Sequence, residues 1–167
     1  MPVIQSRPAE PRDAMVIAAI YNVGIQRRTA TFETRLRTGD DILMWLDDPL
    51  HPVLVAEDDG QIVGWASAST YRSRACYEGI AEISIYIDDD RQGQGIGKQL
   101  MLAFIDACEE AGLWKLVSRI FVENAASRAL CQRCGFREVG IYEKHGKLDG
   151  VWRDVVIVER LLPRNLT

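Results

Sequence analysis

The stretch Arg91-Gln92-Gly93-Gln94-Gly95-Ile96-Gly97 stands between a β-branched run, Ile83 to Ile87, and an amphipathic stretch, Lys98 to Ala111. Strand, glycine-rich turn and helix N-terminus in that order make an anion site. The first N–H groups of a helix have no intrahelical partner, and the helix dipole adds roughly half a positive charge there. Glycine lets the main chain approach a phosphate and adopt conformations that a Cβ forbids. A Walker A loop would need Gly at position 92 and Ser or Thr at position 99, where the chain has Gln92 and Gln99. A dinucleotide fingerprint needs G-x-G-x-x-G in an opening βαβ unit, whereas these glycines fall at 93, 95 and 97, past mid-chain. What remains is Gln-x-x-Gly-x-Gly, or else a plain surface turn that starts a helix.

The residues downstream favour the anion loop. A second apolar run, Leu116 to Val122, leads to Asn124-Ala125-Ala126-Ser127 and a helical stretch closing at Cys134-Gly135-Phe136. Asn124 and Ser127 suit a helix N-terminus, where short polar side chains take up free N–H groups. Gly135 is placed as the C-cap. This combination resembles the GCN5-related N-acetyltransferases (GNAT), which carry Gln-x-x-Gly-x-Gly, then Asn-x-x-Ser, a short helix and Gly-Phe. The resemblance implies that Gln92, Gly93, Gln94, Gly95, Ile96, Gly97 and Lys98 hold the pyrophosphate of acetyl-coenzyme A, with Asn124 and Ser127 touching the same coenzyme.

Composition agrees with an ordinary single domain over residues 1–167: 47% apolar and 26% charged residues are globular values. A net charge of −4 argues against nucleic acid, which needs a basic face. No apolar run approaches the roughly 20 residues of a membrane span. The N-terminal residues lack a basic region followed by an apolar core, so a cytoplasmic protein is expected. Four cysteines, with Cys131-x-x-Cys134 a lone pair, suggest reduced thiols and no metal site.

Hydrophobic periodicity predicts strands at Val3 to Arg7, Val53 to Glu57, Ile62 to Ser69, Ile80 to Ile87, Leu116 to Val122, Arg137 to Tyr142 and Trp152 to Leu161. The turn Asp58-Asp59-Gly60 is a hairpin signal, and Lys147 to Gly150 connect the last two strands. Helices are expected after Pro11 with the stripe Ala14, Ile17, Ala18, Ile20, Tyr21, at Asp40 to Leu46, after Gly97, and after Asn124. Arg27 to Thr38 and Tyr71 to Gly79 read as loops. The order β-αα-ββ-β-α-β-α-ββ is that of the acetyltransferase fold, an α/β (α+β) architecture with a mixed, twisted sheet of about seven strands and about four flanking helices.

Three segments point to one branch of that family. Tyr21-Asn22 with Thr29-Ala30-Thr31-Phe32-Glu33, the basic Tyr71-Arg72-Ser73-Arg74-Ala75-Cys76-Tyr77, and Gly150-Val151-Trp152-Arg153-Asp154-Val155 resemble the phosphinothricin and methionine sulfoximine N-acetyltransferases. The expected substrate is then a small amino acid bearing a carboxylate and a second polar end. Arg72 and Arg74 suit it, because guanidinium binds oxyanions through paired hydrogen bonds; a solvated basic loop is the alternative. Phe32 is read as an apolar wall against the substrate's methylene chain or else as a core or dimer-contact aromatic, and Tyr77 belongs to the substrate loop.

The acceptor amine must attack as the free base. A peptide α-amine has a pKa of about 7.7–8.0, so the base it needs is modest. The resemblance gives that position to Glu82, acting directly or through water; a Glu paired with Arg72 or Arg74 is the competing reading. It also implies a splayed strand at Ile85, Tyr86 and Ile87, whose free N–H groups bind pantetheine and the developing oxyanion. Where related enzymes carry tyrosine or histidine to protonate the leaving thiolate, this chain has Cys131, expected to be dispensable, with Tyr86 as a substitute acid. A homodimer is implied by the resemblance. Peptide N-termini, polyamines or aminoglycosides as acceptors, and a non-catalytic acyl-coenzyme A sensor, are the alternatives.

Overall fold

The computed structural model describes residues 2–167. Seven strands form one sheet: β1 (Gln5–Pro8), β2 (Val53–Asp58), β3 (Gln61–Thr70), β4 (Ile80–Ile87), β5 (Lys115–Phe121), β6 (Arg137–Leu148) and β7 (Val151–Leu161). Their spatial order is β1-β2-β3-β4-β5-β7-β6. Only β4 and β5 pair in parallel; the other neighbours are antiparallel. Four helices cover the sheet: α1 (Ala14–Arg27), α2 (Gly39–Leu43), α3 (Ile96–Glu110) and α4 (Ala125–Arg133). The expected architecture is the observed one.

The two faces of the sheet carry separate cores. Leu100, Met101, Phe104 and Cys108 of α3 bury against Leu54, Ala66, Ile83 and Leu116, together with Cys131 and Phe136. Ile17 and Ile20 of α1 and Ile42 of α2 pack on Val53, Val55 and Trp65 across the sheet. Successive strand residues face opposite sides, so β2, buried on both, reads as the continuous run Val53-Leu54-Val55-Ala56.

Several boundaries differ by a residue or more from those read in the sequence, three of them for a clear local reason. Helix α2 stops at Leu43 instead of Leu46 because Trp45 and Leu46 donate to the carbonyls three residues back, tightening the last turn. Strand β1 extends to Pro8, which an edge strand tolerates. Strand β6 continues six residues past Tyr142. Hydrophobic periodicity ends this strand at Tyr142 and makes Lys147 to Gly150 the connection, yet Gly146, Lys147 and Leu148 pair with Arg153, Trp152 and Val151. An irregularity between Tyr142 and Gly146 absorbs the mismatch, and there Lys144 donates its N–H to Asp154 Oδ1 at 2.7 Å. The connection shrinks to Asp149-Gly150, both at positive φ (50° and 79°), as a tight hairpin turn requires.

Candidate active site

The site is built where β4 and β5 part. Register pairs exist for Ile80 with Lys115, Ala81 with Leu116 and Glu82 with Val117, and then stop. Beyond that point β4 stays on β3 as far as Ile87, while β5 stays on β7 as far as Phe121. Ser118 closes the fork by donating its hydroxyl to the Ile83 carbonyl at 3.3 Å. A cavity of about 310 Å³ fills the opening, lined by Glu82 to Tyr86 on one side and Ser118 to Phe121 on the other. Ile85, Tyr86 and Ile87 thus present an edge that no strand covers.

A second cleft continues from the first, with Ile85, Tyr86, Asn124, Ser127 and Leu130 as shared walls. Gln92, Gly93, Gly95, Ile96, Gly97 and Lys98 line its far end. Helix α3 begins at Ile96, two residues before the sequence suggested, with Gly95 in the left-handed conformation as its N-cap (φ 80°, ψ 4°). Gly93 is also left-handed (φ 76°), and no atom lies within 4 Å of where its Cβ would be. Three side chains of the loop are held by neighbours. Gln92 donates to Asp89 at 3.2 Å, Arg91 donates to Gln94 at 3.0 Å, and Arg91 also pairs with Asp58. Arg27, Arg91, Lys98 and Arg133 make this end basic on a chain whose net charge is −4. Arg27, held on Asp89 at 2.5 Å, and Arg133 come from α1 and α4; their remoteness in sequence hides them from motif reading.

Asn124 caps α4 by accepting from the Ser127 N–H at 3.2 Å, as its residue type suggests. The helix ends with Phe136 donating to the Cys131 carbonyl and Gly135 at φ 87°. Cys131 is buried on the cavity wall, and burial pushes its thiol up to about 12, with neighbouring Cys134 adding to the shift.

Tyr86 stacks on Trp65 at 5.1 Å and meets Tyr21 at 5.0 Å. Burial raises its hydroxyl well above the usual range, while a hydrogen bond with Thr31 pulls the other way. The ring fits against α1 only because position 24 is glycine: a Cβ there would lie 2.6 Å from Tyr86 Cε1. That glycine, midway through a helical stripe, was the available sequence signal for this packing. Asn22 clamps the following loop by exchanging hydrogen bonds with the Arg37 backbone at 2.7 and 2.9 Å. The clamp delivers Phe32 to the cavity wall, edge-on to Phe121 at 4.8 Å. Phe32 is therefore wall and core at once.

Glu82 sits at the fork, but its partner is neither Arg72 nor Arg74. Its Oε2 accepts from Arg119 Nη2 at 2.7 Å. Arg72, Arg74 and Tyr77 do line one recess together, separate from the cavity that holds Glu82. Both arginines are exposed. Tyr77 packs edge-on to Tyr71 at 5.9 Å, and Arg72 lies over the Tyr71 ring at 5.2 Å. Among the described residues no group of three His, Cys, Asp or Glu side chains could hold a metal, and no helix is long and apolar enough to cross a membrane.

With this geometry in view, comparison with known proteins gives the class. Residues 20–136 match the family model for the acetyltransferase (GNAT) family, and the chain belongs to that family. It is 38% identical to a phosphinothricin N-acetyltransferase of Alcaligenes faecalis, over 90% of this chain and 78% of the relative. It is 35% identical to an L-methionine sulfoximine/L-methionine sulfone acetyltransferase of Pseudomonas aeruginosa, over 84% and 78%. A GNAT superfamily phosphinothricin acetyltransferase from Sinorhizobium meliloti, solved in complex with acetyl-CoA, superposes with a TM-score of 0.88 at 28% identity, covering 95% of this chain and 88% of that one. The protein is an N-acetyltransferase.

Proposed function

We propose that this enzyme moves the acetyl group of acetyl-CoA to the α-amine of a small anionic amino acid such as phosphinothricin, methionine sulfoximine or methionine sulfone. The observation that carries the reading is Glu82 at the root of the β4–β5 fork, lining a cavity that shares Ile85, Tyr86, Asn124, Ser127 and Leu130 with the basic cleft. Acetyl-CoA would supply a thioester carbonyl. Main-chain N–H groups from Gly93 to Lys98 would bind its diphosphate, supported by the cations around them. The uncovered edge of Ile85 to Ile87 would pair with the pantetheine arm and donate to the carbonyl oxygen as negative charge grows there. Glu82 would take the proton from the acceptor nitrogen, directly or through a water, as the nitrogen bonds to carbon and the thiolate departs. The names of the Alcaligenes and Pseudomonas relatives support this acceptor class.

Arg72 and Arg74 keep a role in this reading at longer range. Arg72 follows Ser69, the register partner of Glu82, by three residues, so the exposed pair lies near the cavity without lining it. There it would draw anionic acceptors toward the site, with Tyr77 shaping the recess. Reduced thiols and a cytoplasmic location belong to the same proposal, as does a homodimer.

The test is release of coenzyme A thiol with a panel of acceptors. Phosphinothricin and methionine sulfone should be consumed, whereas spermidine and tobramycin should not. Turnover of the polyamine alone would overturn the acceptor class. Replacing Glu82→Gln should lower kcat roughly 100-fold or more, the usual worth of a general base, and leave acetyl-CoA affinity within about twofold. An unchanged kcat would remove Glu82 from the chemistry.

A further inference from the structure

Arg119 belongs to none of the motifs above, yet it is the one cation among the described residues that line the cavity at the fork. The other acidic group there, Glu33, is already held by Arg37 at 2.9 Å. Val117 is the last register partner of Glu82, and Arg119 lies two residues further along β5. Alternation therefore turns Arg119 to the same side of the sheet as Glu82, and Phe121, two residues on again, follows it. The result is a row along the cavity wall: carboxylate, guanidinium, then the apolar Phe121–Phe32 pair.

Two properties of the Glu82–Arg119 pair suit a ligand. It is open to solvent, with 51% of the Arg119 side chain and 30% of the Glu82 side chain exposed. It is also unsaturated. A guanidinium has five N–H donors, and Arg119 spends a single bond, from Nη2, on Glu82.

We infer that Arg119 is the specificity-determining anchor for the α-carboxylate of the acceptor, and that the Glu82–Arg119 pair together reads the amino-acid zwitterion. In an α-amino acid the nitrogen and the carboxylate carbon sit roughly 2.5 Å apart across two bonds. A carboxylate on the free donors of Arg119 therefore brings the amine beside Glu82, which lies 2.7 Å from the same guanidinium. The acceptor side chain then runs toward Phe32 and Phe121. This deepens the acceptor reading above and rests on it. It gives close recognition of the carboxylate to β5 and leaves Arg72 and Arg74 outside the cavity.

The experiment measures kcat and KM for the best amino acid of the panel and for its carboxamide, which keeps the amine and loses the charge. Arg119→Met should raise KM for the amino acid and shrink the preference for acid over amide roughly 10- to 100-fold, the worth of hydrogen bonds to a charged group. Arg119→Lys should restore part of that preference. Thermal melting of both variants checks the fold, which an exposed position should leave intact. Wild-type enzyme that acetylates amide and acid equally well overturns the anchor, as does Arg119→Met that retains the wild-type preference. An equal loss for both substrates in Arg119→Met overturns it too, since Arg119 would then serve only to hold Glu82. Each of those results leaves the acceptor class standing. Failure of folded wild-type enzyme to acetylate any amino acid overturns both.

Discussion

Cys131 shows how one side chain's environment decides its chemistry. It stands where the family resemblance leads one to expect tyrosine or histidine, and it does face the cavity. Burial raises its thiol to about 12, so it remains protonated across the working pH range and is a weak donor there. Cys131→Ala is expected to keep kcat within about twofold, because coenzyme A thiolate is itself a good leaving group; a hundredfold loss in a folded variant would refute this. Burial likewise lifts Cys108 to about 12 and raises Cys134, whereas Cys76 is exposed. Iodoacetamide at pH 8 should therefore add one carbamidomethyl group to the native protein, at Cys76, as read by intact mass. Folded thiols that stay protonated above their usual 9.0 favour the native state less as pH rises past that value, so thermal stability should decline in alkali. Glu82 is a candidate through the family resemblance, as the Glu on the strand before the glycine loop. Arg119 does not come into view there, since its contact with Glu82 spans 37 residues that only strand pairing brings together.

Elements were legible where a local rule fixes them and obscure where a neighbour does. The Gln92-to-Gly97 loop and the Asn124 cap are set by short-range backbone chemistry, and both lie where their residue types imply. The parting of β4 and β5 is a property of two strands and their other neighbours, β3 and β7, so no pattern within either strand announces it. The long β6 is similar: its polar half is a strand because β7 pairs with it. Gly95 allows the loop to be tested as an element. Its φ of 80° is costly for any residue with a Cβ, about 1–2 kcal/mol. Gly95→Ala should lower the melting temperature by a few degrees and raise KM for acetyl-CoA roughly tenfold, since the first N–H groups of α3 would turn from the cleft. Gly60, at φ 79° in the β2–β3 turn with no atom near its Cβ position, provides the control. Gly60→Ala should cost similar stability and leave that KM unchanged. Equal KM values for the two variants would dissociate the loop from coenzyme binding.

At the scale of the molecule, charge and exposed apolar surface are unevenly shared. A chain of net charge −4 gathers cations around one cleft, which favours an anionic cosubstrate there and repels anions elsewhere. One group of exposed apolar side chains lies on the β6–β7 hairpin at an edge of the sheet. Strand β6 is an edge, and its residues from Arg137 to His145 are exposed on both faces. Ile141 is 53% exposed, and Val139, Val151 and Trp152 on the same hairpin are similarly open. Edge strands left with free backbone groups and apolar side chains invite pairing with another chain, and natural proteins usually blunt them. A second copy seated on this hairpin would account for that surface and would fit the homodimer proposed above. Light scattering on the wild-type protein should then give twice the 18.8 kDa of the chain. Ile141→Asp, which puts a charge into the proposed contact without disturbing either buried core, should return the mass to that of one chain and expose the hairpin to protease. A wild-type mass of 18.8 kDa at about 100 μM, well above the Kd expected of a standard-size interface, would rule the dimer out.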